Sequence, residues 1–424
     1  RRGLLGTTFV AWSLGTGAPS RRSRTCGTYP SHGVTRCSDD AGGGKGVILA
    51  CVPPTFTETA PGLVGFKERG DGMGFGAVEV SALKPHSDNV VCCAFSPDVD
   101  LCCTGSNDSS LILWRVTDGW TARLAGHFSC VTCCAFQPGG ALLASGSADE
   151  TLRLWDMCEV LTSESSTPKA DEVSIELKEY GGAIQACAFS RSGKSLASAS
   201  ADSLVRVWSV ERCAVLRVMH GHKSWVLCCA FSPTEEEILV TGGGDGYVIV
   251  WHAETGQCLT RSKVAPKLGT SREITCCAFH PGGEEFATGG EDRLIRIWRM
   301  DGEAAQVLKG HKGAVRGVAY QPGAGHVLAS VEGNVLFGSD NSLRLWDLRN
   351  PHAPPAVLKG HKRRANACSF NGTGELLVTA GNDNAVRLWR LDPSICFPLP
   401  PPEEGGGSTR ALSQGWGEHS SHAG

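Results

Sequence analysis

Cys130 and Cys133 form the one Cys-x-x-Cys pair in this chain of 424 residues, a spacing that suits a redox dithiol or half of a zinc site. Neither use finds support in the neighbouring residues. A zinc site needs a second pair, and a redox motif needs a helix behind its thiols, whereas Cys133 opens "CCAF", a strand-like run. Most of the 20 cysteines sit in such runs, among them Cys92-Cys93, Cys133-Cys134, Cys228-Cys229 and Cys276-Cys277. Adjacent residues on a strand face opposite ways. These pairs therefore read as small buried hydrophobes in a reducing compartment rather than as ligands meeting on one ion. A second candidate, the glycine-rich "AGGGKG" at Ala41 to Gly46, lacks P-loop spacing and the Ser/Thr after Lys that would bind magnesium, so it reads as linker. No metal, cofactor or small-molecule substrate is expected.

The third candidate is the acid in "GSADETLRLWD", Gly146 to Asp156, where Asp149 precedes Trp155 by six residues. The unit recurs. "GSNDSSLILW" ends at Trp114, "ASADSLVRVW" at Trp208, "GGGDGYVIVW" at Trp251, "GGEDRLIRIW" at Trp298, "GSDNSLRLW" at Trp346 and "GNDNAVRLW" at Trp389. Seven copies of a site argue for architecture rather than catalysis, because a catalytic constellation is needed once.

The elements that carry these residues follow from the stretch ahead of each copy, as in "MHGHKSWVLCCAFSPTEEEILVTGGGD": two strand-like runs parted by a Pro, Gly or polar turn. With the run ending in Trp and a connecting strand, each unit holds four strands, and successive Trp residues stand 41 to 53 residues apart. Four strands on a period of roughly 40–45 residues make a propeller blade. The seven units, over about residues 77 to 392, resemble WD40 repeats. The resemblance implies an all-β fold, a seven-bladed propeller. "AVEVSAL", Ala77 to Leu83, alternates apolar and polar residues and can complete the last blade and close the ring.

The resemblance also implies that a His before the first strand, a Ser or Thr on the second, the turn Asp and the Trp form a buried hydrogen-bonded set. Matching sets are His127, Ser145, Asp149 and Trp155; His222, Thr241, Asp245 and Trp251; and His361, Thr379, Asp383 and Trp389. His86, Thr104, Asp108 and Trp114 follow Pro85 where Gly is usual. His311, Ser330, Asp340 and Trp346 are split by "VEGNVLF". The third repeat keeps Ser198, Asp202 and Trp208 and the fifth Thr288, Asp292 and Trp298, both without the His, so these two blades are expected to be the least rigid. Although Ser, His and Asp match a hydrolytic triad in composition, a nucleophile must be exposed beside an oxyanion donor. The sets are read as structural and the chain as no enzyme.

Function in such a ring lies where the repeat is broken. By resemblance, the residues flanking the first-strand Val face the top of the central channel. Before it stand Asn89, Cys130, Ala183, Trp225, Glu273, Ala314 and Arg364; beyond it stand Val91, Thr132, Gln185, Leu227, Thr275, Arg316 and Asn366. Trp and Arg dominate interface hot spots, so Trp225 and Arg364 lead the candidate site, with Leu227, Asn366, Arg316, Glu273, Gln185 and Thr132. Lys223, Lys312, Lys362 and Arg363 gather nearby, but a formal net charge of -3 gives no general attraction to nucleic acid. Arg153 and Arg387, at a repeated strand position, are expected to be exposed and without a part in binding. The sixth repeat alone ends "LWDLRN". Trp346, Asp347 and Arg349, with Asp340 upstream, resemble the box by which some propellers dock on the adaptor of a cullin-4 ubiquitin ligase.

Composition changes outside the ring. Residues 1 to 76 read as a low-complexity, disordered segment and 393 to 424 as a disordered Pro/Gly/Ser-rich tail. Six Arg and no acid in the first 37 residues suit an organelle transit segment or a misjoined gene end, but a cytoplasmic or nuclear location is preferred. No apolar run approaches the roughly 18 residues that span a bilayer. "CEVLTSESSTPKADEVSIELKEYGG", joining the second and third repeats, reads as a solvated loop. The expectation is a monomeric propeller within a hetero-complex, binding a peptide or protein on its top face; the alternative is a ligase substrate receptor.

Overall fold

The structure, a computed structural model, describes residues 77–391 apart from 98–99, 164, 179–180, 265–271, 334–339 and 351; the segments 1–76 and 393–424 lie outside the described residues. Seven four-stranded antiparallel sheets follow one another along the chain as the blades of a propeller. In blade four the strands run from the inside outward as Val226–Phe231, Ile238–Gly243, Tyr247–His252 and Gln257–Lys263. Each inner strand touches that of the next blade, and the inner strand of blade seven, Ala365–Phe370, touches that of blade one, Val90–Phe95.

The ring is closed by Ala77–Leu83, which pairs antiparallel with Val386–Leu391 as the outer strand of blade seven. Glu79 on the closing strand meets Arg387 Nη1 at 2.6 Å. Joining the two ends in one sheet removes the open edge that a linear array of blades would leave.

Burial explains the strand composition. Second strands such as Leu142–Ser147, "LLASGS", are buried along their whole length because a blade lies against each face. Small residues let the sheets approach: an added Cβ on Gly146 would stand 2.5 Å from Ile184 Cγ2 of the next blade. The apolar core is divided among the seams. At the seam of blades three and four, Val205, Val207 and Met219 pack against Val226, Leu239, Ile249 and Trp251. Burying one such indole removes about 150–250 Å² from water, on the order of 4–6 kcal/mol. Trp114 of blade one is the least covered of the seven repeat tryptophans. It borders an apolar cleft of about 60 Å³ with Leu83, Cys102, Val378 and Leu388, at the seam that closes the ring.

The paired thiols divide between two seams. Cys93 Sγ lies 3.8 Å from the Val378 carbonyl of blade seven, and Cys134 Sγ lies 4.0 Å from the Cys103 carbonyl of blade one. Burial pushes the Cys368 thiol up to about 12 and Cys102 further still, which suits packing rather than nucleophilic chemistry.

Two features depart from the sequence reading. The link between the second and third repeats is more ordered than a solvated loop. It forms a helix, Met157–Thr162, capped by the Asp156 carboxylate, then a short helix, Ala170–Val173, and the outer strand Ser174–Leu177 of blade two. On the way it docks on the outer edge of blade one, where the Arg123 amide donates to the Ser166 carbonyl at 2.8 Å and Lys169 bridges Ala125. Arg153 is not exposed but 5% accessible and paired with Glu176 at 2.9 Å, while Arg387, half-buried, is held by Glu79. A third-strand Arg lies across the sheet with its stem packed and its charge met by a carboxylate.

Candidate protein-binding face

The top face is assembled by the buried sets. In blade two the Trp155 Nε1–H donates to Ser145 Oγ at 2.8 Å, Ser145 Oγ is 2.8 Å from His127 Nε2, and His127 Nδ1 is 3.0 Å from Asp149 Oδ2. With Nδ1–H donating to the carboxylate, Nε2 accepts from the hydroxyl, so donors run in one direction from Trp to Asp; this tautomer is assigned from the network. Asp149 also accepts the Phe128 amide at 2.8 Å, which fastens the loop entering the inner strand to the turn after the second strand. Blade four repeats the pattern with His222 to Asp245 at 3.1 Å, His222 to Thr241 at 2.8 Å and Trp251 to Thr241 at 2.8 Å. In blade seven His361 meets Asp383 at 2.9 Å and Thr379 at 2.8 Å, and Trp389 donates to Thr379 at 3.0 Å. Blade one keeps the set despite Pro85, with His86 3.1 Å from Asp108 and 3.0 Å from Thr104, but its Trp114 bond is longer, 3.4 Å. The hydroxyls of Ser145, Thr241 and Thr379 are fully buried, so none faces a substrate.

Electrostatics match this role. Burial alone would raise the Asp108 carboxyl, but the Ser110 hydroxyl, the Ser87 amide and the His86 ring hold it down at about 2. Asp149, Asp245 and Asp383 are held below the usual carboxylate range by the same kind of donors against the same burial. Burial lowers His86 and His311 despite their carboxylate neighbours, which keeps these rings neutral.

Blade six corrects the sequence assignment. Asp340 does not reach His311. The ring instead meets Glu332 Oε2 at 2.9 Å and Ser330 Oγ at 2.6 Å, with Trp346 donating to Ser330 at 2.7 Å. Glu332 also accepts the amides of Lys312, Gly313 and Asp340, and Asp340 pairs at 3.4 Å with Arg344. Asp340 stands ten residues beyond Ser330 where Asp149 stands four beyond Ser145, and the longer side chain of Glu332, two beyond Ser330, takes over. Blades three and five replace the missing His. Arg206 reaches Asp202 at 2.8 Å and Arg296 reaches Asp292 at 2.5 Å, while Trp208 and Trp298 keep their bonds to Ser198 and Thr288 at 3.0 and 2.7 Å.

The channel mouth rests on this frame. In every blade the carbonyl of the residue before the inner strand accepts an amide from the turn after the second strand, as with Trp225 and Gly244 at 2.9 Å and Arg364 and Asn382 at 2.8 Å. Asn89, Cys130, Ala183, Glu273 and Ala314 are clamped alike at 2.9–3.0 Å. The backbone is thus constant where the side chains differ. Trp225 is 59% exposed. Glu273, Gln185 and Leu227 are half-buried around the same opening.

The residues one step further are bulges. Strand register slips at this point in all seven inner strands, leaving one residue of each outside the ladder. Several of these reach the next blade. Thr132 Oγ1 donates to Ile184 O at 2.5 Å, Thr275 to Val315 O, and Asn366 Nδ2 to Val90 O at 2.7 Å. Arg316 pairs with Glu291 of the preceding blade. Thr132, Asn366 and Arg316, all candidates for the binding face, thus also join neighbouring blades. The sequence reading missed Phe128, 87% exposed on the same face, although an aromatic directly after His127 was a visible departure from the Ser and Lys of other repeats.

The "WDLR" residues lie apart from the mouth. Trp346 is buried in the sixth set, and Arg349, exposed, forks onto Asp347 with Nε at 2.9 Å and Nη2 at 3.0 Å. Cys130 is at the mouth and Cys133 within the inner strand, and no group of three or more metal-ligating side chains converges among the described residues. No helix among them is long and apolar enough to cross a membrane.

Comparison with known proteins places the repeats. The family described as WD domain, G-beta repeat matches residues 78–115, 120–156, 173–209, 213–252, 263–299, 302–347 and 353–390. The chain is 27% identical over 237 residues to the transcriptional corepressor LEUNIG_HOMOLOG of Arabidopsis thaliana, covering 55% of this chain and 28% of that protein. It is 29% identical over 295 residues to the nuclear distribution protein nudF of Aspergillus niger, covering 62% and 60%. It is 26% identical over 223 residues to the guanine nucleotide-binding protein subunit beta of Zea mays, covering 49% and 57%. The matched parts thus amount to between about a quarter and three fifths of these relatives.

Proposed function

Because the chain belongs to the WD40-repeat family, we propose that it works without catalysis as a rigid scaffold, holding a peptide or partner protein against the top face of its ring. Trp225 carries the reading. A 59% exposed indole packs no blade core, and its backbone, clamped by the Gly244 amide, is already ordered before a partner binds. Phe128 adds a second exposed aromatic on the same face, and Arg364 a cation in blade seven. The relatives carry names of complex components, a corepressor and a G-protein subunit among them. We place this chain likewise in a hetero-complex, as a single ring in the cytoplasm or nucleus.

The test is affinity capture with the full chain, comparing the unmodified protein, Trp225→Ala/Arg364→Ala and an Arg299→Ala/Arg390→Ala control, both exposed on strands away from the mouth. Hot-spot residues of this kind commonly contribute about 2 kcal/mol each, so the double change should lower affinity on the order of a thousandfold while the melting curve stays put. Full binding by the Trp225/Arg364 variant would move the site off the top face. A second reading, docking on the cullin-4 ligase adaptor, draws on the exposure of Arg349. It requires the Asp347–Arg349 pair to open.

A further inference from the structure

Every described arginine that is not exposed has a carboxylate at ion-pair distance, with one exception. Arg364, half-buried at the channel mouth, has no carboxylate at ion-pair distance among the described residues, and its Nε is buried without a hydrogen-bond partner. A guanidinium taken out of water and left unpaired destabilises a fold, and elsewhere in this ring the cost is avoided by pairing. The side chain is also held in place, because Gly333 of blade six packs against its stem so closely that no Cβ would fit there. Burial and the neighbouring Arg316 bring Arg364 down to about 10 in spite of Glu291. Arg364 thus carries a positive charge at this side of the mouth that no described carboxylate meets at ion-pair distance.

Building on the top-face reading above, we propose that Arg364 is the receptor for a single carboxylate, the side chain of an Asp or Glu in the partner peptide, whose apolar neighbour rests on Trp225. Blade four lies across the ring from blade seven, so the peptide spans the opening. The charge balance selects a carboxylate over a phosphate. Arg316 is already neutralised by Glu291, which leaves Arg364 as the one half-buried arginine of the mouth without a carboxylate, and a dianionic phosphate would be repelled by Glu291. Guanidinium and carboxylate match as two parallel hydrogen bonds, and the half-buried site strengthens them.

A displayed library of random dodecapeptides, selected on the full chain, provides the probe. The selected peptides should be enriched in one Asp or Glu at a fixed distance from an apolar residue. A synthetic winner, measured by fluorescence anisotropy, should lose about tenfold or more in affinity when its acid becomes Gln or when the protein carries Arg364→Gln. Arg364→Lys should recover part of the loss, and replacing the acid by phosphoserine should weaken binding. Melting curves of Arg364→Gln and Arg364→Lys should match the unmodified protein or rise, since no internal bond is broken. The proposal is overturned if selection yields no peptides, if winners lack an acid, if they bind Arg364→Gln equally, or if phosphoserine binds more tightly. The wider scaffold reading survives those outcomes as long as affinity capture still depends on Trp225.

Discussion

Glu332 stands in for an aspartate, accepting His311 Nδ1 at 2.9 Å from a position on the second strand itself rather than on the turn beyond it. Its side chain is fully buried and takes three further backbone amides. Glu332→Ala should therefore cost several kcal/mol, since each orphaned buried donor contributes about 1–3 kcal/mol. Asp340→Ala, which loses a partly exposed pair with Arg344, should cost about 1 kcal/mol or less. Urea unfolding of the two variants decides the assignment, and equal losses would return Asp340 to the set.

Blades without the histidine need not be the soft ones. Asp202→Ala removes the carboxylate 2.8 Å from the buried Arg206, and breaking such a pair costs about 3–5 kcal/mol, against about 1–3 for Asp245→Ala in a histidine blade. Adding Arg206→Met to Asp202→Ala should restore most of the loss. If the single Asp202 variant is the milder of the two, blade three is less constrained than its ion pair implies.

Acid should unfold the ring in two stages. His86 and His311 are lowered below the ordinary 6.5, so the unfolded chain binds more protons and stability starts to fall as pH drops through about 6.5. Asp108, held at about 2, and the similarly depressed Asp149, Asp245, Asp383 and Glu332 add stability above their unfolded values near 4 that disappears as pH falls through that range. Melting temperature followed from pH 8 to pH 3 should decline gently at first and steeply below about 4.5. A flat profile down to pH 4 would contradict the neutral, buried histidines.

Arg349→Ala removes only a surface pair with Asp347, so it should shift stability by less than about 1 kcal/mol. Co-precipitation with the ligase adaptor before and after this change tests the docking reading. Loss of an existing interaction supports it, and an interaction that persists, or is never seen, removes it.

The seven-fold repeat and the sets of blades one, two, four and seven were legible because the chemistry recurs at fixed spacing. Glu332 was legible too, from a different ruler. His and acid stand 22 residues apart in blades one, two and seven and 23 apart in blade four, and Glu332 lies 21 beyond His311. Counting back from Trp346 selected Asp340 instead, because the insertion lies between Ser330 and the Trp. The bulges were hidden, since a strand pattern reads the same whether or not the ladder slips. The bonds of Thr132 and Asn366 to the next blade were hidden for that reason, and Arg153 and Arg387 looked exposed because pattern alone shows a charge but not the carboxylate lying over it.

Three of the bulge residues bond from their own blade to its successor, and Asn366 makes across the closing seam the kind of contact that Thr132 and Thr275 make elsewhere in the ring. The covalent break lies inside blade seven, between Val386–Leu391 and Ala77–Leu83, where Ala77 stands opposite Leu391 in register, so the seam of blades seven and one is linked and bonded like the others. It follows that covalent order is interchangeable around the ring. A circular permutant that tethers these two positions and opens the chain in the exposed turn after Ser209 should keep the melting temperature within a few degrees, whereas a ring dependent on its native threading would not survive the transfer.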